Sequence, residues 1–411
     1  MLLLHLMSFL CPEKIRAIYI DHQLQSLSAE WGQFVLAQCQ QLNIPCIIKP
    51  VNVALGNLES QARSARYQAY SQHIQPHEIL LLAHHQQDQA ETLMLRLLSG
   101  AGIHGLSAMR EIDFRENLTI WRPLLNISHE QICQWAAQLN VQNIQDPTNH
   151  DTHYDRAWCR EELWHILQAR FPKMQQALSR TSYLMQDAED ILLDVLHQDL
   201  TTCGNDVELN LQFFNELSSA RQRQLLSFWM KGDDQYRPSF DMVERIQNEV
   251  IHSKKDSQAA LHWNGYYYIR YQEKLYRIKK EEYLSEKLEQ RGIQYIQFEL
   301  NEYILLASGT FKIQTEDIGL SFELLNKKLT IEQRKGGEKI HLYGRIGSWP
   351  LKKAIQDAHI FPWQRHTIQI LSIDNVMLGA FTPKGFWLAQ SVYCETGGWR
   401  PKLMNKDQTH R

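Results

Sequence analysis

The chain has 411 residues, of which 44% are hydrophobic and 22% are charged. This length predicts two or three domains, and the ordinary composition excludes extensive disorder. The formal net charge is −3 at pH 7, which excludes a global attraction to nucleic acid and leaves only a local basic surface for that purpose. The seven cysteines include no CxxC pair, so they favour reduced thiols and give no zinc or redox motif.

The chain begins with an apolar stretch, MLLLHLMSFL. It has no basic leading segment and no small-residue cleavage site, so it does not have the features of a signal peptide. It is also too short to span a bilayer, and no other stretch is long and apolar enough to do so. We therefore predict no membrane segment.

Strand-like and helix-like segments alternate over the first 160 residues. This alternation predicts an α/β fold with a doubly wound, mostly parallel sheet, in which ligands bind at the carboxyl ends of the strands. Asp21, His22, His84 and His85 fall at such ends. The predicted strands are 15–21, 45–53, 79–85 and 118–125, and the predicted helices are 28–42, 58–73, 86–98 and 128–139, the last with a Ser128–Gln131 capping box.

Residues 80–106 read LLLAHHQQDQAETLMLRLLSGAGIHGL. Because successive helical residues rotate by about 100°, His84, Asp88 and Glu91 share one face above the strand ends. Three interpretations stay open. The side chains are ligands of a divalent metal, or the carboxylates stabilise the positive end of the helix, or the group belongs to a nucleotide and substrate site. In the third case the glycine-rich GAGIHG lets the backbone approach a ligand closely.

The chain changes character after residue 160. Residues 160–200 and 211–230 have helical periodicity, whereas 259–278 alternate aromatic and polar residues around an Asn-Gly turn, which predicts a β-hairpin. Short strands and turns follow from about residue 327. We therefore predict an α/β domain, a mainly helical central domain and a small α+β C-terminal domain, with the bounds 1–165, 166–325 and 326–411.

The last segment is also basic. From residue 327 on, fourteen lysines and arginines stand against six acids, a net charge of +8. Such a segment can bind phosphates, and its large aromatic residues can supply stacking surfaces. The alternative is a solvated face over a small aromatic core. The aromatic residues in question are Trp349, Trp363, Phe381, Trp387 and Trp399.

The stretch AHHQQDQAETLMLRLLSGAGIHGLSAM resembles the signature of the tRNA(Ile)-lysidine synthases, AHHxxDQxET followed by a leucine-rich helix and GxGxxGL. The resemblance covers nearly the whole chain in the family's order. Gln23, Gln25, Gln87 and Ala157 depart from the family pattern, and Asp88 retains the aspartate next to QxET. The other matching segments are IDHQLQ, ESQARSARYQAY, WRPLL and QDPTNHDTHYDRAWCR in the first 160 residues, and RKGGEK, GR, LKK and PWQR after residue 333.

This resemblance implies a cytoplasmic ligase with the N-type ATP-pyrophosphatase fold, which is similar to the adenine nucleotide alpha hydrolases. Members of the family use ATP and Mg2+ to adenylate C2 of the wobble cytidine in a tRNA(Ile) with a CAU anticodon. The ε-amino group of free L-lysine then displaces AMP and forms lysidine, which changes the tRNA from methionine to isoleucine specificity. The oligomeric state stays open, and a homodimer is one alternative.

The resemblance also implies roles for individual residues, because the departing pyrophosphate needs positive charge and the lysine amine needs a carboxylate or a magnesium ion to orient it. Asp88 would orient the amine or hold Mg2+, and Glu91 would support it. For each arginine, a surface ion pair is the alternative. The expected catalytic residues are Asp88, Glu91, Arg66 and His84; the ATP-binding residues are Asp21, His22 and Arg63; and the tRNA-binding residues are Arg122, Arg156, Arg160, Arg334, Arg345, Lys352, Lys353 and Arg365.

The family's ATP-binding loop, SGGxDS, does not occur in the printed sequence, which starts with a helix resembling the one that follows that loop. Backbone N–H groups of such loops bind pyrophosphate, so we expect very weak ATP binding by the chain as written. Two interpretations stay open: a start codon placed downstream of the true one, or a shortened gene that encodes a non-catalytic tRNA-binding protein. A thiolation enzyme is disfavoured, since no CxxC pair is present.

Overall fold

The structure is a computed structural model that describes residues 1–54, 58–115, 117–232, 237–254, 259–284 and 293–404. Three residues counted in the basic C-terminal segment, Lys406, Asp407 and Arg411, lie outside the described residues. The chain divides into two compact units, Met1–Val195 and Leu196–Arg411. Within the described ranges, no helix combines the length and the apolar character needed to cross a membrane.

The first unit alternates helices and strands as the sequence predicts, and the element bounds agree to within a few residues. The Ser128–Gln131 capping box is confirmed, with Gln131 N donating to Ser128 Oγ over 3.2 Å. The strands are β1 (Ala17–Asp21), β2 (Cys46–Pro50), β3 (Ile79–Leu81), β4 (Ile112–Arg115) and β5 (Leu118–Trp121), and the helices are α1 (Leu2–Leu10), α2 (Ser28–Gln41), α3 (Leu58–His73), α4 (Gln86–Leu98), α5 (Ile103–Leu106), α6 (His129–Gln138), α7 (Asp155–Trp158) and α8 (Trp164–Arg170).

The predicted single doubly wound sheet is only partly present. β1 pairs with β2 and β3 pairs with β5, both in parallel, but they form two small sheets. No described strand pairs with both β1 and β3, so the two ladders do not merge. β4 has no counterpart among the predicted strands. It pairs antiparallel with β5 and forms one edge of that sheet.

An arginine joins the two small sheets at the amino ends of their parallel strands. Arg16 precedes β1, and its Nε and Nη2 atoms donate to the two carboxylate oxygens of Glu78 over 2.7 and 2.5 Å. Nη2 also donates to the carbonyl oxygen of His73 at the end of α3. The ion pair lowers the pKa of Glu78 to about 2. The opposite ends of these strands, where the candidate site lies, are free of this linkage.

The predicted helix over 160–200 is interrupted. Cys159–Leu163 forms a wider helical turn, α8 follows, and the long helix α9 covers Met174–Cys203. Pro172 lies between α8 and α9, where it lacks the N–H that a continuous helix needs.

The second unit begins with helices around a four-stranded antiparallel sheet of order β6-β9-β8-β7. The predicted hairpin is confirmed, because β7 and β8 pair antiparallel on either side of Asn264 and Gly265, which both have positive φ. These strands are β6 (Glu208–Asn210), β7 (Ala260–Trp263), β8 (Tyr266–Tyr271) and β9 (Lys274–Lys279), and the helices are α10 (Leu211–Glu216), α11 (Ser219–Lys231), α12 (Phe240–Arg245) and α13 (Lys280–Leu284).

The rest of the second unit is rich in β-strands. β10-β13-β16-β17-β18 form one antiparallel sheet, and β12 pairs with β11, β19 and β20. The elements are α14 (Leu351–Asp357), β10 (Gln294–Ile296), β11 (Tyr303–Leu306), β12 (Gly309–Leu320), β13 (Leu329–Gln333), β14 (Lys339–Ile340), β15 (Trp349–Pro350), β16 (Gln369–Ile373), β17 (Val376–Thr382), β18 (Gly385–Leu388), β19 (Cys394–Thr396) and β20 (Trp399–Leu403).

The aromatic residues of this segment have different environments. Phe381 and Trp399 are fully buried in the core, and Trp363 is also buried. The expectation that these three supply stacking surfaces is therefore wrong, and the alternative of an aromatic core holds for them. Trp349 and Trp387 remain partly accessible to a partner.

We predict that Arg16→Met loosens the contact between the two small sheets, because the guanidinium bonds Glu78 and the end of α3 at once. A partly exposed pair of this kind contributes on the order of 1 kcal/mol. Hydrogen–deuterium exchange of β1 and β3 should therefore become roughly fivefold faster. Arg245→Met, which breaks the exposed i,i+4 pair with Glu249 on one helix, is the matched control. Equal exchange in wild type and Arg16→Met would contradict the linkage.

Candidate active site

The carboxyl ends of β3 and β5 lie side by side because the two strands are parallel. Leu82 N donates to Trp121 O over 3.0 Å, which extends the ladder by one residue beyond β3. The chain then continues into His84 and His85, while Arg122 follows β5 directly. Two of the residue groups singled out in the sequence therefore meet at one edge of a sheet.

The N-terminus of α4 is capped by its own polar side chains. Gln87 N donates to Nδ1 of His85 over 3.2 Å, and His85 N donates to Oδ2 of Asp88 over 2.9 Å. This capping box satisfies backbone N–H groups at the positive end of the helix. One carboxylate oxygen of Asp88 therefore caps the helix, as the structural interpretation expects. The side chain remains about one-fifth exposed.

Glu91 lies one turn further along α4 and is completely buried. Its two carboxylate oxygens accept from Nε and Nη2 of Arg160 over 3.0 Å each, and Gln87 Nε2 donates to Oε1 over 3.0 Å. Burial raises the pKa of Glu91, and Arg160 opposes that rise. The Glu91 carboxylate is therefore already occupied by protein donors, and it fixes the position of Arg160.

His84 is held in its neutral form at the edge of the sheet. Burial is the main reason that its pKa falls to about 4, and the nearby Asp88 only partly opposes this. Arg122, Arg63 and Arg156 lower it further through their positive charge. The buried Nδ1 atom has no hydrogen-bond partner among the described residues.

The arginines around His84 form a compact cationic cluster. Arg63 is half-buried, and burial lowers its pKa, with Arg115, Arg156 and Arg122 adding to the lowering. Arg63 and Arg115 both lie over the ring of Tyr67, at 5.1 and 5.0 Å from its centre.

Arg122 belongs to the same cluster and is fully buried. It donates from Nη1 to the carbonyl oxygen of Arg110 over 2.7 Å, and its Nη2 lies 3.4 Å from Asp113. Its Nε is buried without a partner in the described part of the chain. The guanidinium is thus fixed in place and retains one donor.

Sequence reasoning missed two members of this cluster, Arg96 and Arg115. Arg96 lies near the end of α4, where its Nη1 donates to the carbonyl oxygens of Gly105 and Ala108. Burial and then the charges of Arg63, Arg115 and Arg156 lower its pKa. Arg115 lies on β4, the strand that the sequence did not predict. Only the tertiary fold brings these residues to the site, although both arginines are within the predicted α/β domain.

A second group lies at the carboxyl end of β1. Arg66 Nε donates to Nε2 of His22 over 3.2 Å, so the neutral imidazole has its proton on Nδ1, which is buried without a partner among the described residues. Burial lowers the pKa of His22, and Arg66 adds to this effect. Asp21 Oδ1 accepts from the backbone N–H of Gln23 over 2.9 Å. Arg66 and Arg63 are one turn apart on α3, which connects this group with the arginine cluster.

The expected tRNA-binding residues of the second unit differ in accessibility. Lys352 and Lys353 are exposed on α14. Arg345 and Lys353 lie over the Trp349 ring, at 5.5 and 5.1 Å from its centre.

Two other expected tRNA-binding residues are engaged within the protein. Arg334 lies 3.9 Å from the carboxylate of Glu338, and Arg365 Nε donates to the carbonyl oxygen of Ile360 over 3.2 Å. Both side chains are half-buried, so they present less positive charge to a partner than the lysines of α14 do.

The donor set at the strand edge fits a polyphosphate better than a metal cage. No group of three potential metal-ligating side chains occurs in the residues that the structure describes. The interpretation of His84, Asp88 and Glu91 as a shared metal site is not supported, because Glu91 is bound to Arg160. Guanidinium groups and a neutral imidazole are suited to bind phosphate oxygens. Mg2+ needs few protein ligands when phosphates and water complete its coordination, and Asp88 can supply one.

Comparison with known proteins identifies the domains and the family of the chain. Residues 1–167 match the PP-loop domain family, residues 209–276 match the TilS substrate binding domain, and residues 329–400 match the TilS substrate C-terminal domain. The chain is 60% identical over 405 residues to the tRNA(Ile)-lysidine synthase of Acinetobacter baylyi, covering 98% of this chain and 88% of that protein. It is 33% identical over 376 residues to that of Actinobacillus pleuropneumoniae, covering 88% of each. A crystal structure of a TILS C-terminal domain matches 28% of this chain and 99% of its own, at 16% identity and a TM-score of 0.22.

The first unit therefore contains a PP-loop domain, which is an ATP-binding domain. The chain belongs to the tRNA(Ile)-lysidine synthases, which are ATP-dependent ligases that modify tRNA. The family resemblance drawn from the sequence motifs is thus confirmed, and so is the activity from which the family takes its name.

We predict that His84 stays neutral well below the pH at which an ordinary histidine becomes protonated. Its ring should titrate near pH 4, because burial and three arginines oppose a further positive charge. Carbon-13 NMR of labelled histidine, assigned by comparison with His84→Asn, measures this directly. The reference is the imidazole of a short model peptide, which has a pKa near 6.5. A His84 midpoint equal to that of the model peptide would contradict the electrostatic account.

Proposed function

We propose that the carboxyl edge of β3 and β5 is where the ligation occurs, and that this cytoplasmic enzyme joins L-lysine to C2 of the wobble cytidine of tRNA(Ile) with a CAU anticodon. The single observation that carries the proposal is the neutral His84 beside a cluster of arginines and next to the half-buried Asp88. A fold of the N-type ATP-pyrophosphatase class, with its ligand at the strand ends, is consistent with this placement.

The arginine cluster would bind the phosphates. Formation of the adenylated tRNA breaks the bond between the α- and β-phosphates of ATP, and negative charge accumulates on the departing pyrophosphate. Arg63 and Arg122 are held by burial and by protein contacts, so they need not reorganise when that charge develops. Neutral His84 can contact an oxygen without adding charge. On α3, Arg66 would also bind a phosphate. Its hydrogen bond to His22 would hold it close to Asp21.

Asp88 would serve the second step. The ε-amino group of lysine is protonated at pH 7 and must lose a proton before its lone pair attacks C2 and AMP leaves. The positive charge of the cluster favours the neutral amine, and the partly exposed Asp88 carboxylate can accept its hydrogen bond. The same carboxylate can supply one ligand to Mg2+ bound by the ATP phosphates. Glu91 would act indirectly by fixing Arg160.

The second unit would bind the tRNA. Its matches to substrate-binding families and the exposed basic surface around Trp349 support this assignment. Lys352, Lys353 and Arg345 would contact the phosphate backbone, with Arg334 and Arg365 as weaker contributors. In the first unit, Arg156 would extend the cationic surface towards the anticodon.

We predict that Asp88→Asn lowers kcat/KM for lysine by at least about 100-fold, because the neutral amide cannot assist proton loss. Asparagine can still cap α4, so the melting temperature should stay close to that of wild type. Mass spectrometry of tRNA(Ile) with a CAU anticodon, incubated with ATP and lysine, measures lysidine formation. Glu130→Gln, an exposed change on α6, is the matched control and should leave the rate unchanged.

Wild-type activity in Asp88→Asn would exclude Asp88 from the chemistry. A wild-type chain that binds the tRNA but forms no lysidine would favour a non-catalytic tRNA-binding protein.

We predict that Lys352→Ala combined with Lys353→Ala weakens tRNA binding and flattens its dependence on salt. Each lost phosphate contact should reduce the slope of log Kd against log salt concentration by about 0.7 to 0.9. Fluorescence anisotropy at several salt concentrations measures both quantities. The matched control is Lys279→Ala with Lys280→Ala, an exposed adjacent pair at the end of β9. An unchanged affinity and slope in the α14 variant would remove these lysines from the interface.

A further inference from the structure

The C-terminal half of the second unit contains a pocket that plays no part in the ligation proposed above. Its volume is about 400 Å3, which is within the range of roughly 300–1,000 Å3 that small ligands occupy. Strands β12, β18 and β20, helix α14 and the loop over 341–348 form its walls. Aliphatic side chains form the floor, and the groups that can recognise a ligand are Tyr343, Arg345, Asp357, Trp387 and Arg400.

The walls of this pocket are fixed by main-chain hydrogen bonds. Tyr343 N donates to the carbonyl oxygen of Leu388 over 3.0 Å, so the loop is attached to the end of β18. A ring nitrogen of His341 lies 2.7 Å from the carbonyl oxygen of Arg345, which closes the loop on itself. On the opposite side, Arg400 Nη2 donates to the carbonyl oxygen of Phe386 over 2.7 Å. The backbone of the loop and the side chain of Arg400 are therefore placed before a ligand arrives.

The chemistry of the lining fits a nucleotide. Tyr343 and Trp387 are partly accessible and offer aromatic surface on which a base can stack. Arg345 and Arg400 offer donors for a phosphate. Lys353 adds positive charge beside Arg345, because both side chains lie over the ring of Trp349.

Asp357, exposed at the end of α14, is the acidic group in the lining. A carboxylate repels a phosphate but accepts a hydrogen bond from the exocyclic amine of a base. Cytosine, adenine and guanine have such an amine, and uracil does not. Asp357 is therefore suited to bind the base of a nucleotide, and the two arginines are suited to bind its phosphate.

We propose that this pocket takes one unpaired nucleotide of the bound tRNA, with its amine-bearing base against Asp357 and its phosphate against Arg345 and Arg400. The paired bases of an RNA helix are not open to side chains in this way, whereas a single-stranded nucleotide can be stacked and read at its edge. The identification of the RNA as tRNA rests on the proposed function. The pocket thus adds base recognition to a surface that otherwise binds backbone.

The test compares the affinities of the full chain for two single-stranded RNAs, hexacytidylate and hexauridylate, by fluorescence anisotropy. Both are pyrimidine runs, so the exocyclic amine is the main difference that Asp357 can sense. Wild type should bind hexacytidylate at least about fivefold more tightly. Asp357→Asn should reduce that preference to less than twofold, since an amide can also donate to uracil. Asp374→Asn, an exposed acid in the turn between β16 and β17, is the matched control and should keep the preference.

An equal affinity of wild type for the two RNAs, or an unchanged preference in Asp357→Asn, would overturn the proposal. Trp387→Leu should weaken the binding of both RNAs about tenfold, because a stacking surface is lost. If that variant is unstable, the exposed Asp357→Asn change still decides the question. Cytidine monophosphate binding as tightly as hexacytidylate would assign the pocket to a free nucleotide and would also overturn the assignment to RNA.

The RNA-binding assay is carried out without ATP and lysine, so its result is independent of catalysis. A loss of the cytidine preference in Asp357→Asn together with an absence of lysidine formation would leave the pocket in place and remove the ligase function. Normal lysidine formation, together with a cytidine preference that Asp357→Asn leaves unchanged, would keep the ligase function and remove the proposed role of the pocket.

Discussion

Positive charge concentrated at one edge of a sheet is the constraint on which the candidate site depends. Arg63, Arg122 and Arg156 all act on His84, and burial and mutual repulsion lower the pKa of Arg63. Like charges held close together in a partly buried environment are costly unless an anion binds between them. The fold offsets part of that cost with main-chain carbonyls and with the aromatic face of Tyr67. A substrate with several phosphates would have the complementary charge.

The two acids of α4 have different surroundings. Glu91 points into the protein, where Arg160 neutralises it, so that it contributes order and little reactivity. Asp88 lies a turn earlier, caps the helix with one oxygen and keeps partial access to solvent. Burial alone therefore distinguishes two residues that a motif places side by side. The second unit repeats the division at a larger scale, because its buried aromatic residues stabilise the fold while Trp349 and Trp387 stay near the surface.

The sequence predicted local structure well and tertiary grouping less well. The periodicity of residues 86–98 defined α4 to the residue, and the Asn-Gly turn defined the hairpin of β7 and β8. The order of strands across a sheet depends on pairing between distant segments, so the split into two small sheets and the strand β4 were missed. For the same reason Arg96 and Arg115 escaped notice, although His84, Asp88 and Arg63 were identified. Family motifs identified the chemistry because they preserve residues that the fold brings together, whereas hydrophobic spacing alone could not separate stacking aromatic residues from core ones.

We expect the arginine cluster and neutral His84 to bind an anion together. The direct measurement is the pKa of His84, followed by NMR in the full chain with and without saturating inorganic pyrophosphate. If the anion binds within the cluster, it offsets the arginine charges, and the pKa of His84 should rise from about 4 towards its ordinary value near 6.5. A pKa that stays the same while pyrophosphate binds elsewhere on the protein would contradict this account of the site.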